Sequence, residues 1–202
     1  MTTGRAFAIV PAAGFSLRMG APKLLLPWKG TSIIGHTLQA WTRSQVTKTI
    51  VILRADDELL AAACKNWPVD IVRPSTNPVD MKQSIQFALL HAESAYDAAP
   101  PDRWLVAPAD MPHLSGQVIN SLVSSGLDLE SIVLPRFGDR IGHPVSFPWR
   151  FRKHLFELKE DEGVNRIIET ESVFHVDLTS DVLFDDLDTP EDYSRLLGNG
   201  VH

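Results

Sequence analysis

Five short apolar runs recur along the chain with helical patterns between them, and this alternation limits the fold more than anything else in the sequence. The runs are Phe7–Val10, Thr49–Leu53, Val69–Val72, Trp104–Ala107 and Ile132–Leu134. The first, second, fourth and fifth are nearly continuous in apolar residues, as strands covered on both faces must be. Between them, "TSIIGHTLQAWTRS" carries apolar residues at helical spacing behind a Thr or Ser N-cap. "DDELLAAACKN" opens on acids that suit a helix N-terminus. "MKQSIQFALLHAE" sets Ile85, Phe87, Leu89 and Leu90 on one broad face, and "SGQVINSLVSSG" runs from a Ser115 cap to a Gly126 stop. A β-α-β-α order of this kind predicts an α/β fold, with a mostly parallel twisted sheet and helices on both faces.

After Gly138 the rhythm breaks. "GDRIGHPVSF" reads as a turn into a strand, "PWRFRKHLFEL" and "DEGVNRIIET" as helices, and "SVFHVDL" as a late strand. "DTPEDYSRLLG" has Thr189 as N-cap, Pro190 at the first helical position, acids in the first turn and a glycine stop. There is no internal repeat, low-complexity tract or linker, and Pro100-Pro101 marks a loop rather than a boundary. One domain is therefore expected over residues 1–202, a length at which 44% hydrophobic residues suffice for a sizeable core.

The formal net charge of -6 argues against nucleic-acid binding, which relies on clustered cations. The single cysteine, Cys64, excludes an intramolecular disulfide and reads as a buried core thiol. No stretch approaches the ~20 apolar residues that cross a bilayer. The N-terminus reads as a first strand rather than a signal peptide, so a cytoplasmic protein with no membrane partner is expected.

Ligands of parallel α/β sheets collect at the carboxyl ends of the strands. There the first strand runs into "VPAAGFSLRMGAPKLLLPW", Val10 to Trp28. Small residues at Ala12, Ala13 and Gly14 let backbone N–H groups approach phosphate oxygens, and Arg18 and Lys23 can neutralise them. The Rossmann glycine pattern is absent, because Ala12 stands where its first Gly would be, and no Gly-Lys-Ser/Thr of a P-loop follows. On the residues alone, a phosphate-binding loop and an ordinary turn with solvated cations both remain open. Asp110 ends another apolar strand in "RWLVAPADMPHLSG". It suits Mg²⁺, which takes one or two carboxylates and fills its shell with phosphate and water. It equally suits a cap on the turn at Pro112.

"PAAGFSLRMGAPKLLLPW" resembles the N-terminal signature of the MobA-like nucleotidyltransferases, with Gly14, Arg18, Met19, Gly20, Pro22 and Lys23 in place. These attach nucleoside monophosphates to molybdopterin, and related enzymes make nucleotide sugars and CDP-methylerythritol. The resemblance implies a Rossmann-like fold of the GT-A, nucleotide-diphospho-sugar transferase type. It divides the chain into a nucleotide-binding half, about residues 1–115, and an acceptor-binding half, about 116–202. It implies that Ala12, Ala13 and Gly14 wrap the triphosphate, with Arg18 and Lys23 on its oxygens. It also implies that Asp110 in "PADMP" binds Mg²⁺, with Mn²⁺ as the alternative ion. Asp188 or Asp186 in "FDDLDTPEDY" would add a second ligand or orient the acceptor, or else cap the helix at Pro190. "MKQSIQFAL" resembles a helix start near base and ribose, which makes Ser84 a nucleotide contact or an ordinary first-turn serine. "GDRIGHPVSF" resembles a Gly-His-Pro segment beside the acceptor, so His143 touches acceptor or pyrophosphate, or is a structural histidine. "LKEDEGVNRII" departs from the family's Gly-Asp-x-Gly-Ala helix start, with Glu160 for the first Gly and Asn165 in the small-residue region. That departure bears on acceptor geometry more than on the nucleotide.

The implied reaction is an NTP plus a phosphorylated acceptor giving NMP-acceptor and pyrophosphate. It is catalysed by Arg18, Lys23 and Asp110 through positioning and charge neutralisation. The Ala-Ala-Gly loop resembles that of CTP-using members, so the expected partners are CTP and a molybdopterin-type acceptor, with a client molybdoenzyme downstream. Three alternatives stand beside this reading. They are a GTP-dependent guanylyltransferase, a cytidylyl- or uridylyltransferase acting on a sugar or polyol phosphate, and a non-catalytic module that inserts cofactor into a molybdoenzyme. Lys23 and Asp110 together argue against the last.

Overall fold

The computed structural model describes residues 4–14, 22–126, 130–179, 187 and 189–198. Its first strand, β1 (Ala6–Pro11), shows why the apolar runs are continuous. Ala6, Ala8 and Val10 enter one core while Phe7 and Ile9 enter another, so both faces of the strand are covered. A 3-10 turn at Lys23–Leu25 leads to a tight hairpin, β2 (Pro27–Trp28) and β3 (Thr31–Ser32). Lys29 (φ 40) and Gly30 (φ 83) supply the two positive φ values its two-residue loop needs. Ser32 then caps α1 (Ile33–Thr42) through the Gly35 N–H.

Next come β4 (Lys48–Ile52), α2 (Glu58–Cys64), β5 (Asp70–Val72), α3 (Met81–Tyr96) and β6 (Arg103–Val106). Asp57 caps α2 and Asp80 caps α3. α4 (Gly116–Gly126) opens on Ser115, whose Oγ accepts from the Val118 N–H. The interrupted region holds β7 (Ile132–Phe137), β8 (Arg140–Ile141), β9 (Val145–Pro148), α5 (Phe151–Glu157), α6 (Asn165–Thr170) and β10 (Val173–Asp177). α7 (Pro190–Gly198) begins with a reciprocal cap. Thr189 Oγ1 accepts from the Asp192 N–H, and Asp192 Oδ2 accepts from the Thr189 N–H.

The strands pair in the order β10-β7-β9-β6-β1-β4-β5, with β8 folded back on β7. β1 lies parallel to β4 and β6, β4 to β5, and β7 to β10, which is the mostly parallel sheet the alternation predicts. β9 is reversed against both neighbours. One core packs α1, α2, α4 and α7 on the first face, and the other packs α3, α5 and α6 on the second. Cys64 lies in the first core, its thiol pushed up to about 12 by burial. Among the described residues, no helix is long and apolar enough to cross a membrane.

At the amino ends of β1 and β6, buried Asp102 accepts from the Arg5 backbone N–H (2.8 Å), Arg5 Nη2 (2.7 Å) and the Ala99 N–H (3.2 Å). Burial raises its pKa, but the Arg5 and Ala99 hydrogen bonds outweigh that and hold it below the usual carboxylate range.

Candidate functional site

Three parallel strands deliver their following residues to one edge of the sheet. β1 passes into Ala12-Ala13-Gly14, β4 into Leu53-Arg54, and β6 into Ala107-Pro108-Ala109-Asp110. Backbone bonds extend the ladder past the strand ends. The Ala12 N–H donates to Ile52 O at 2.9 Å, and the Ala107 and Ala109 N–H groups donate to Ile9 O and Pro11 O, both at 3.3 Å. The turn after β1 and the Asp110 segment thus lie side by side, and Ala12, Leu24, Ala109 and Leu114 share one core.

Lys23 Nζ meets Asp110 Oδ2 at 2.6 Å in this crevice. The lysine side chain is 7% exposed and the aspartate 33%, so the ammonium is enclosed while the carboxylate keeps an open side. A buried lysine must be paired, and this one is paired across 87 residues of sequence. The Asp110 segment is braced from beneath. His36 on α1 lies beside the Pro112 carbonyl, and the Trp28 and His113 rings meet edge-on at 5.3 Å. Tyr193 on α7 donates from its hydroxyl to Pro27 O at 2.6 Å, which ties the last helix to the β2–β3 hairpin.

The reversal of β9 brings His143 to the same edge. Because β9 runs against β6, with Val145 opposite Val106, its first residues lie where the parallel strands end. The His143–Pro144 peptide is cis. Burial lowers the His143 pKa, and the nearby Asp110 carboxylate pulls it partly back.

The sequence-predicted residues divide three ways. Ala12, Ala13, Gly14, Lys23, Asp110 and His143 come to one edge. Ser84 lies in the first turn of α3, which starts from that edge, but it is buried and its hydroxyl donates to Asp80 O at 3.1 Å. Arg18, Asp186 and Asp188 lie outside the described residues.

Sequence reasoning missed Arg54, whose Nη1 donates to Gly14 O at 3.1 Å and lies 3.5 Å from Ala13 O. Its signal was a cation placed directly after the apolar run of β4, three residues before a helix cap. Lys82 was also missed. Its Nζ donates to the carbonyls of Lys159 and Glu160 and links the start of α3 to the segment before α6.

Among the described residues no group of three or more His, Cys, Asp or Glu could cage a metal by itself. One partly exposed carboxylate beside an ammonium suits instead an ion that arrives on a triphosphate. Mg²⁺ keeps several waters and takes one or two carboxylates with substrate phosphates.

The description MobA-like NTP transferase domain matches the chain over residues 8–176. The purine catabolism protein PucB of Bacillus subtilis (strain 168) is 28% identical over 197 residues, covering 92% of each chain. The molybdenum cofactor cytidylyltransferase of Escherichia coli (strain K12) is 22% identical over 187 residues, again covering 92% of each. Rv0371c of Mycobacterium tuberculosis H37Rv superposes with a TM-score of 0.80 at 27% identity, covering 96% of this chain and 98% of that one. The same mycobacterial protein has been solved in complex with manganese.

Proposed function

The chain belongs to the MobA-like NTP transferase family, and on that premise we propose that it transfers CMP from CTP to a phosphorylated acceptor of the molybdopterin type. The observation that carries this reading is the Lys23–Asp110 pair, 2.6 Å apart beside the small-residue turn after β1. It offers one cation for phosphate oxygens and one carboxylate for a phosphate-bound metal. The Ala12-Ala13-Gly14 sequence of that turn supports cytidine over guanosine.

An acceptor phosphate oxygen attacks the α-phosphorus of CTP, and the α–β bridging bond breaks with its electron pair leaving on pyrophosphate. The attacking phosphate is already ionised at neutral pH, so no base has to take a proton. Lys23 and Arg18 neutralise the charge that gathers on the leaving pyrophosphate. Asp110, with Asp188, would hold the Mg²⁺ that enters with the nucleotide, and the bound ion would supply charge neutralisation on the phosphate oxygens. Ala12, Ala13 and Gly14 line the nucleotide side together with the Ser84 turn of α3. His143 and Asp186 serve the acceptor side. With its pKa lowered, His143 is neutral at pH 7 and gives the acceptor a hydrogen bond without adding charge. The whole chain acts as one unit, the nucleotide held by about residues 1–115 and the acceptor by about 116–202.

The test is pyrophosphate release with a molybdopterin acceptor and either MgCTP or MgGTP. The expected result is a higher kcat/KM for CTP, and a preference for GTP would overturn the cytidylyl reading. Asp110→Asn should abolish release at limiting Mg²⁺ while the protein stays folded, with a lowered melting temperature because the enclosed Lys23 ammonium loses its charged partner. Full turnover by that variant would remove Asp110 from the metal site.

A further inference from the structure

We infer that Arg54 is a positioning residue for the nucleotide turn, fixing the peptide groups of Ala13 and Gly14 so that the turn presents N–H rather than C=O to the phosphates. The inference rests on the proposed nucleotide site and adds a residue to it.

Arg54 lies two residues beyond the end of β4, and its side chain is 15% exposed. Nη1 donates to Gly14 O at 3.1 Å and reaches Ala13 O at 3.5 Å, so both carbonyls of the turn face the guanidinium. The C=O and N–H of a trans peptide point in opposite directions. Holding the Ala13 carbonyl toward Arg54 therefore sends the Gly14 N–H to the other side of the turn. Two residues earlier, the Ala12 N–H is already spent on Ile52 O at 2.9 Å.

Gly14 itself points to an outside ligand. A Cβ built there meets nothing within 4 Å among the described residues, and its φ is not in the left-handed region. Among the described residues, neither packing nor a left-handed φ asks for glycine at this position. An anion approaching the backbone does.

The guanidinium is held as firmly as the turn it holds. Nη2 donates to Asp57 Oδ2 at 3.0 Å, and Nε lies 3.4 Å from Asp56 Oδ1. Asp57 uses its other oxygen to cap α2, accepting from the Leu60 N–H at 3.1 Å. Between them, the Ala55 N–H donates to Asn77 Oδ1 at 2.8 Å, and the Ala55 carbonyl accepts from Arg73. A planar fork can serve the turn and Asp57 at once, which a lysine ammonium at the same place cannot do with the same geometry. Arg54 thus ties the nucleotide turn to the cap of α2.

The test is titration of MgCTP into wild type, Arg54→Ala, Arg54→Lys and Asp57→Asn, with the melting temperature of each ligand-free protein. Asparagine caps helices as well as aspartate, so Asp57→Asn keeps α2 and gives up only the ion pair. The Kd should rise about tenfold in Arg54→Ala and in Arg54→Lys, the loss of one oriented charge-assisted hydrogen bond. It should rise in the same direction in Asp57→Asn, whose melting temperature stays near wild type. KM for CTP should rise by more than kcat falls. Wild-type Kd in Arg54→Ala and Asp57→Asn would overturn the inference and leave the nucleotide site standing. Wild-type Kd in Arg54→Lys alone would show that charge suffices and overturn the geometric role. Absence of nucleotide binding by the wild type would overturn the site and this inference together.

Discussion

Lys23 sits in the fold by its stem as well as by its charge, since the butyl chain is enclosed while Nζ reaches Asp110. Lys23→Met keeps most of that stem and removes the ammonium. Asp110, one-third exposed, then turns to water, so the fold should persist. On the proposed reading Lys23 meets the β- and γ-phosphates. The variant should therefore weaken CTP binding on the order of thirtyfold, ~2 kcal/mol, and CMP binding far less. Competition titration with the two nucleotides measures this, and equal losses would take Lys23 off those phosphates. At this scale the sequence was readable wherever a side chain's place follows from strand position and type. Ala12, Gly14, Lys23 and Asp110 follow apolar runs, where parallel strands end. Arg54 also follows one, but its partners are backbone carbonyls 40 and 41 residues away, and no residue pattern marks a carbonyl as an acceptor.

Single elements were legible in proportion to how much apolar surface they bury. β1, β4, β6 and β7 bury both faces and read as continuous runs, whereas β2 and β3 have two residues each and too few side chains to set a period. Their hairpin also carries Lys29 at positive φ, which its residue type does not advertise. The direction of β9 was hidden for a different reason, since an apolar run reads the same parallel or antiparallel. What joins the elements at the amino edge is the Asp102 clamp between the leads into β1 and β6. Asp102→Asn should cost about 2 kcal/mol at pH 7, the value of hydrogen bonds to a charged group. The sign with pH follows from its lowered pKa. The folded group titrates below the unfolded value of about 3.9, so its stabilisation is present above about pH 4 and is lost as pH falls through the folded pKa. Denaturant midpoints at pH 7 and pH 3 should show the variant's deficit shrinking in acid. A deficit unchanged with pH would mean that packing, not charge, holds Asp102. Nucleotide affinity should not move, because the clamp lies at the opposite edge of the sheet from Asp110.

Across the whole molecule, two cores flank one sheet, and the crevice edge collects residues from both halves of the sequence. The α/β class was readable from alternation, because each buried run is followed by a helix that covers it. The strand order was not, since a run carries no record of its neighbour. The Lys23–Asp110 contact leaves the crevice self-neutralised at 2.6 Å. On the proposed reading, free magnesium would have to displace the ammonium from the carboxylate. Free CTP would have to draw Lys23 away and leave Asp110 facing phosphate of like charge. Only the two together would give both side chains an opposite partner at once, which would make the pair a coincidence gate for metal and nucleotide. Linkage makes the coupling reciprocal, each ligand tightening the other by the same factor. The melting-temperature rise with MgCTP should therefore exceed the summed rises with MgCl₂ and with CTP in EDTA, and simple additivity would show that the gate does not exist.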